Sequence, residues 1–335
     1  MTSTRDQEEP DSVIQPPHEE PTSLAHEEES PLHSGFITLA GRPNMGKSTF
    51  LNRVIGRKVA VVTHKAQTTR TRILGVRHAP GSQMVFVDTP GLHGTGGNRL
   101  NRLMVRAAHD ALADVTAVLY FVDVAKGLTG ADRTILKDLV KANVPWVLML
   151  NKIDRVEEAL VLERLAGVEA WSQESGITFH AAIPLSARTG KNMEAVLSHL
   201  ETLLPPGPAY YPPDQTTDQP ETFFVAEIVR EKLFLNLHQE LPYALAVQVV
   251  EFREEKKSLH CTVDILVEKR SQKGIVIGRK GEVLKRVGSL ARKELERRFG
   301  IKVMLKLWVR VEPRWRTDDA LLQELGYSDG TPGGD

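Results

Sequence analysis

The 335-residue sequence predicts two units of unlike architecture: a doubly wound α/β domain, then a smaller α+β unit of order α-β-β-α-α-β. Three observations carry this. Short runs rich in Val, Ile and Leu alternate with helix-period stretches as far as Leu204. The Pro-rich residues 205–220 (PPGPAYYPPDQTTDQP) then break the pattern. Beyond them, strand and helix periodicity return in a new order, with a marked excess of basic residues.

The expected parallel strands of the first unit are Phe36–Ala40, Met84–Val87, Thr116–Val122, Trp146–Leu150 and Phe179–Leu185. Uninterrupted apolar runs of this length, flanked by Gly, Asp or Asn, suit central strands buried on both faces. Helices are expected over Lys47–Ile55, Arg99–Leu112, Ala131–Lys141, Glu157–Trp171 and Lys191–Leu203. In the second unit a helix is expected over Glu221–Gln239. Antiparallel strands follow over Ala244–Phe252 and Leu259–Val267, then a short helix over Lys273–Ile277, a long one over Glu282–Phe299, and a strand over Lys302–Val311. Residues 1–34 are acidic and Pro-rich with few apolar positions, and read as a disordered tail. The expected limits are thus 35–204 and 221–318, joined by a linker or a domain-bridging loop over 205–220. Residues 319–335 form a C-terminal tail, rich in Gly and Asp from Ser328 on.

A hydrophobic fraction of 41% and a charged fraction of 26% suit a soluble globular chain. The single cysteine, Cys261, excludes an internal disulfide framework and fits a reducing compartment. It lies in an alternating apolar run, so a buried core thiol is expected rather than a nucleophile. No apolar stretch is long enough to span a bilayer, and no basic-then-apolar secretory pattern opens the sequence. A cytoplasmic location is expected.

The first chemical motif follows the first strand directly: Gly41-Arg42-Pro43-Asn44-Met45-Gly46-Lys47-Ser48, with Thr49 next. It matches GxxxxGK[ST] between a strand and a helix, the context that motif requires. Its backbone amides and the helix N-terminus would cradle phosphate oxygens, Lys47 would bridge the β- and γ-phosphates, and the Ser48 hydroxyl would hold Mg²⁺. A glycine-rich turn with an incidental lysine is the alternative, and the flanking elements disfavour it. Asp88-Thr89-Pro90-Gly91 ends a later apolar strand, where a carboxylate suits a Mg²⁺ contact through water and the Gly91 amide could sense the γ-phosphate. Asn151-Lys152-Ile153-Asp154 separates GTP from ATP. A carboxylate is an acceptor only, guanine presents N1–H and N2–H₂ as paired donors, and adenine has no such pair, so Asp154 selects guanine. Asn151 can tie this loop to the phosphate loop, and the Lys152 stem can cover the base. Ser186-Ala187, after the last strand, could offer a backbone amide to guanine O6.

In order and spacing these motifs resemble the TRAFAC-class GTPases. Residues 65–70 (KAQTTR) fill the remaining place, where a threonine can contact Mg²⁺ and the γ-phosphate; Thr69 is favoured over Thr68. Lys47 and Thr69 are the catalytic candidates. Leu92 stands where Ras-like enzymes carry the glutamine that orients water, so slow intrinsic hydrolysis is expected. The resemblance implies a class with a hydrophobic residue there, some of whose members use a potassium ion held by a phosphate-loop asparagine. Asn44 occupies that position.

Residues 268–316 hold sixteen Lys and Arg against five acidic residues, a net of +11, the scale of charge that binds polyanions. Within them lies Gly278-Arg279-Lys280-Gly281, preceded by Lys273-Gly274 and the apolar run ending at Ile277, and followed by a helix that carries Lys285. A GxxG loop between two helices is the RNA clamp of a KH domain, which admits about four single-stranded nucleotides. A solvated basic helix is the alternative, and the element order disfavours it.

A KH unit behind such a GTPase unit resembles the Era family of ribosome-assembly GTPases. The matching stretches are GRPNMGKST, KAQTTR, DTPGLH, NKID and SA in the first unit. In the second they are Ala226–Lys232, Gln272–Gly278 and Leu307–Val309. The resemblance implies GTP, GDP and Mg²⁺ as ligands, small-subunit ribosomal RNA near its 3′ end as partner, and a role in 30S subunit maturation. It also implies peripheral association with the inner membrane. A monomer is expected. Two other readings stay open: a GTPase of a related branch acting on another RNA, and a non-hydrolysing RNA-binding assembly factor with a vestigial nucleotide site.

Overall fold

The computed structural model describes residues 31–63, 69–90, 115–139 and 144–327. The expected helix Arg99–Leu112, the Gly-rich stretch 94–97, Gly91, Leu92, residues 65–68 and the acidic residues 1–30 lie outside the described residues.

The first sheet has the order β2-β3-β1-β4-β5-β6. Its parallel members are β1 (His33–Gly41), β3 (Ser82–Asp88), β4 (Ala117–Asp123), β5 (Trp146–Asn151) and β6 (Ala181–Leu185). Four of them bury nearly every side chain on both faces, as their apolar runs require. β6 departs from the expectation: it starts at Ala181 and is half-buried, because it is an edge strand. β2 (Ile73–Ala79) was not expected at all, and it pairs antiparallel with β3. β1 begins at His33, so the residues just before Gly35 belong to the sheet and not to a tail.

The described helices of this unit are α1 (Lys47–Ile55), α2 (Gly130–Leu139), α3 (Glu158–Ser175) and α4 (Met193–Glu201). α3 runs past Trp171 until Gly176, at φ 71°, supplies the left-handed residue that ends it. One sheet face packs α1 and α4 through Phe50, Leu51, Val196 and Leu200, with Phe50 edge-on to Phe86 and Phe121. The other face packs Tyr120, Trp146 and Leu148 against Leu136, Val168 and Trp171. This sandwich aims the carboxyl ends of β1, β3, β4 and β5 at one edge, where ligands bind in open parallel sheets.

The Pro-rich segment is ordered, not a free linker. Gly207 N donates to Leu32 O at 2.9 Å, and Val76 N donates to Thr216 O at 2.9 Å. The Thr217 hydroxyl reaches Leu74 O at 2.7 Å. Gln83 Oε1 accepts from the amides of Tyr210 and Tyr211 at 2.7 and 3.1 Å. Residues 205–217 therefore strap the outer edge at β2 and cover backbone groups that an edge strand would leave unpaired.

The second unit has the expected order. It contains α5 (Glu221–Asn236), β7 (Leu245–Glu255), β8 (Ser258–Val267), α6 (Arg270–Ile277), α7 (Glu282–Phe299) and β9 (Lys302–Val311). The sheet order is β7-β8-β9, with β7–β8 antiparallel and β8–β9 parallel. All three helices pack on one face, through Val225, Val229, Val276, Val287 and Leu295, and Cys261 lies buried among them. Burial pushes the Cys261 thiol up to about 11. The expected C-terminal tail is corrected here. Asp319–Glu324 form α8, capped by the Asp318 side chain, and Leu322 packs on Trp315, Ala246 and Leu266. Among the described residues no helix is long and apolar enough to cross a membrane.

Candidate functional site

The phosphate loop is the turn from β1 into α1. Gly41 sits at φ 129°, and a Cβ there would lie 2.6 Å from the Phe121 carbonyl oxygen. Gly46, at φ 101°, leaves room for the Asn151 side-chain amide, which a Cβ would meet at 2.1 Å. Lys47 is buried and lies over the loop, donating to Gly41 O at 2.9 Å and Arg42 O at 3.2 Å. Burial holds its ammonium below the ordinary lysine range, and the Asp88 carboxylate opposes that shift. Arg42 donates to Thr129 Oγ1 at 2.9 Å, rooting the loop to the start of α2 through Thr129 and Asp132. Neither anchor residue stood out in the sequence. Asn44 stands in the loop at φ 63°, with Pro43 and Met45 on either side. Thr49 continues the first turn of α1.

Three oxygens gather beside Lys47. Ser48 Oγ donates to Asp88 Oδ2 at 2.6 Å, Thr69 Oγ1 stands 3.3 Å from the same oxygen, and the two hydroxyls are 3.0 Å apart. Asp88 Oδ1 is fully buried without a hydrogen-bond partner. Burial pushes this carboxyl up; Lys47 and the two hydroxyls push it down. Hydroxyl and carboxylate oxygens with one lone pair set unspent fit a hard divalent ion such as Mg²⁺, which takes one or two protein oxygens and completes its shell with phosphates and water. Thr89 fixes the end of β3 by donating from its hydroxyl to Leu39 O at 2.9 Å, and Pro90 is buried behind it.

The base-side loops meet at Asn151. Its Nδ2 donates to Met45 O at 2.7 Å, while its Oδ1 accepts from Lys152 N at 2.8 Å and Ala187 N at 3.0 Å. Lys152 adopts φ 72° and pairs with Asp123 at 2.8 Å, which holds its stem in place. Asp154 accepts from Ser186 Oγ at 2.6 Å and pairs with Arg188 at 2.6 Å. Burial disfavours its ionised form, but the Ser186 and Arg188 contacts outweigh that and hold it below the ordinary carboxylate range. The amides expected to face guanine O6 are engaged: Ser186 N donates to Lys191 O at 3.1 Å and Ala187 N donates to Asn151. Arg188 and Asp123 were missed, although Arg188 adjoins Ser186-Ala187 and Asp123 directly follows an expected strand.

The basic unit places its GxxG loop between α6 and α7. Gly278 has φ 75° and ψ 173°, and a Cβ there would meet Val283 Cγ2 at 2.5 Å, so only glycine fits. Arg279 and Lys280 form the tip, and Gly281, at φ 78° in open space, begins α7. A groove of about 570 Å³ runs from Gly281 along Leu284, Lys285, Gly288 and Arg292 to the side chains of Leu305 and Leu307. Lys273, Gly274 and Ile277 lie on α6, outside this lining. Gly288 and Arg292 were missed; their spacing from Gly281 and Lys285 places them on the same face of a helix.

The two units meet through residues beside the nucleotide site. Arg70, next to Thr69, is 4% exposed and enters the second unit. Its guanidinium donates to Leu245 O at 2.8 Å and Pro242 O at 3.2 Å, and lies 5.6 Å from the Phe234 ring centroid. Lys58 pairs with Glu231 at 2.8 Å and with Glu294. Arg298 donates to Lys58 O at 2.8 Å and stacks on Phe224.

Residues 36–152 match the family described as 50S ribosome-binding GTPase, and residues 240–316 match the KH domain family. The chain is 42% identical to GTPase Era of Geobacter metallireducens over 302 residues, which is 90% of this chain and 99% of that protein. It is 44% identical to GTPase Era of Geotalea daltonii over 301 residues, 89% of this chain and 99% of that protein. Among solved structures it resembles a variant of Aquifex aeolicus Era bound to GDP·AlF4⁻, with a TM-score of 0.84 and 34% identity over 89% of this chain and 100% of that one. It also resembles Era in complex with MgGDPNP and nucleotides 1506–1542 of 16S ribosomal RNA, with a TM-score of 0.84 and 33% identity over 89% and 99% of the two chains. With both units aligned to relatives along nearly their full length, the chain belongs to the Era family of GTPases, enzymes that bind GTP with Mg²⁺ and hydrolyse it.

Proposed function

We propose that the chain uses GTP as a timer for its grip on small-subunit ribosomal RNA during 30S subunit maturation. The observation that carries this is the adjacency of Thr69, at the cation oxygens, and Arg70, inside the basic unit. A change in the segment bearing Thr69 would be transmitted by the next residue to the first residue of β7, in the three-stranded sheet whose opposite edge, β9, lines the GxxG groove. An Era relative binds nucleotides near the 3′ end of 16S ribosomal RNA, and the net charge and GxxG loop of this chain suit the same class of ligand.

In the proposed roles, Gly41 to Thr49 cradle the phosphates and Lys47 steadies the β- and γ-oxygens. Ser48 and Thr69 would hold Mg²⁺ with their hydroxyl oxygens, and Asp88 would support it through water. The ion supplies charge neutralisation on the phosphate oxygens. Asp154, fixed by Ser186, accepts from the guanine N1–H and N2–H₂ pair. Gly278, Arg279, Lys280 and Gly281 receive the RNA backbone, with Lys285 at the groove wall. Asn44 is the candidate ligand for an activating potassium ion; equal turnover in sodium and potassium chloride at matched ionic strength would exclude that role. The chain acts as a cytoplasmic monomer. Its peripheral association with the inner membrane rests on family resemblance, and co-sedimentation with inner-membrane vesicles tests it.

The deciding experiment measures GTP turnover and RNA affinity on one preparation, with Lys47→Ala as control. Turnover should fall at least a hundredfold in the variant while nucleotide-free RNA binding persists. Turnover equal to that of the variant in the wild-type protein would favour a vestigial site. RNA crosslinked in the GTP-loaded state should map to the small-subunit 3′ end; another RNA would favour a related branch.

A further inference from the structure

We propose that the outer face of β9 is a second RNA contact, on which Trp308 stacks an unpaired base of the strand leaving the GxxG groove. This rests on the RNA reading of that groove. Strand alternation gives β9 two unlike faces. Leu305 and Leu307 point to the groove, whereas Lys302, Met304, Lys306, Trp308 and Arg310 point the other way and are exposed. Trp308 is 59% exposed and Met304 56%, in a chain whose other tryptophans, Trp146, Trp171 and Trp315, are at most 4% exposed. An amphipathic sheet strand normally offers polar side chains outward, so a tryptophan and a methionine there are unexplained by folding.

The occupant follows from charge and continuity. Along β9 the outward row alternates basic and apolar groups with no acidic member. The neighbouring strand contributes Asp264, which is spent on Arg310 at 2.8 Å. Lysines interleaved with an aromatic ring match a nucleic-acid strand, whose phosphates need cations and whose bases have π-faces. β9 is also the edge of the sheet, so its two faces are joined across one exposed strand. RNA that fills the groove at Leu305 and Leu307 has only that edge to cross before it meets Trp308. The far end of the outer face is closed by Trp315 and α8, which leaves the Met304–Trp308 stretch as the open part.

The test uses the full chain with two single-stranded RNAs, a tetranucleotide and a dodecanucleotide of one composition. The dodecanucleotide should quench the exposed-tryptophan emission; the tetranucleotide should bind without quenching it. Trp308→Ala should weaken dodecanucleotide binding about tenfold, as removal of one base–aromatic stack does. It should leave tetranucleotide binding unchanged, and Trp308→Phe should recover most of the loss. Unchanged dodecanucleotide affinity in Trp308→Ala would overturn the proposal and leave the groove intact. Quenching by the dodecanucleotide with no tetranucleotide binding would uphold Trp308 and unseat the groove. Quenching by anionic phosphatidylglycerol vesicles, or by raising protein concentration, with none by RNA would overturn it in favour of a membrane or self-association surface.

Discussion

Replacing Arg70 by alanine should uncouple the nucleotide site from the RNA-binding unit. The guanidinium is buried and makes two well-formed charged hydrogen bonds, to Leu245 O and Pro242 O, with a weaker approach to Tyr243 O at 3.4 Å. Bonds of this kind contribute about 1.5–3 kcal/mol each. Burial lowers the pKa of this group, yet an arginine stays charged, so part of that gain is offset by the cost of keeping a cation out of water. Loss of the Phe234 contact adds about 0.5–2 kcal/mol. The net expectation is a destabilisation of about 2–4 kcal/mol, because relief of the buried cation's desolvation cancels much of the loss from the bonds and the ring contact. Urea unfolding followed by circular dichroism reads the first consequence. The second is the ratio of RNA affinities with a GTP analogue and with GDP, which should collapse toward one because coupling between sites is a shared free energy. Arg70→Lys, which can satisfy a single carbonyl well, should fall between. An alanine variant that unfolds within about 0.5 kcal/mol of wild type and keeps its affinity ratio would refute the reasoning, that value being the usual scatter of neutral surface changes.

Asp154→Asn should cost guanine nucleotides at least a hundredfold in affinity and gain xanthine nucleotides, whose C2 carbonyl accepts from the new amide; competition binding checks it. Because the Ser186 and Arg188 contacts hold the folded Asp154 carboxyl below the ordinary carboxylate range, its charge survives as pH falls, so the ratio of wild-type to Asp154→Asn affinity for GDP should stay flat from about pH 8 to pH 5, which cancels the titration of the ligand's own phosphate. Gly281→Asp should abolish tetranucleotide binding at a cost of about 1 kcal/mol for the left-handed backbone, since open space surrounds its side chain and Asp tolerates that conformation, whereas Gly278→Ala should destabilise the chain by about 2–4 kcal/mol through backbone strain and the Val283 contact together; melting curves separate the two. Cys261, with its thiol at about 11, should be about one part in a thousand thiolate at pH 8 and resist iodoacetamide until the chain is unfolded.

The elements that the sequence made legible are those with one dominant local signal. The loop from Gly41 to Ser48 is a motif with its own flanks, and α7 runs over the same residues, 282–299, that its periodicity marks out. β2 escaped because Gly75, Arg77 and His78 interrupt its apolar run; its burial comes from the strap, which is distant in sequence. α8 escaped for a related reason. Its six residues are too short for periodicity to speak, and its stability comes from Trp315 and Leu266. At the site, the residues proposed to meet a phosphate or base belong to motifs, whereas Thr129, Asp132, Asp123 and Arg188 work by holding those residues, and such pairings arise only from the fold.

The Pro-rich strap fixes how the second unit can travel. Residues 205–217 are laced to the edge of the first sheet, and Phe224, near the start of α5, packs into the core beneath that sheet. Between Thr217 and Glu221 the free tether is therefore residues 218–220, a length that confines its end to a small volume and keeps the RNA-binding unit at a high local concentration. Under the proposed switch, a turn of the second unit about those residues would have to draw Phe224 out of the first core and release Arg70, with the Lys58, Glu231, Glu294 and Arg298 contacts exchanged. Lengthening the tether there should cost the switch its leverage while leaving both units folded.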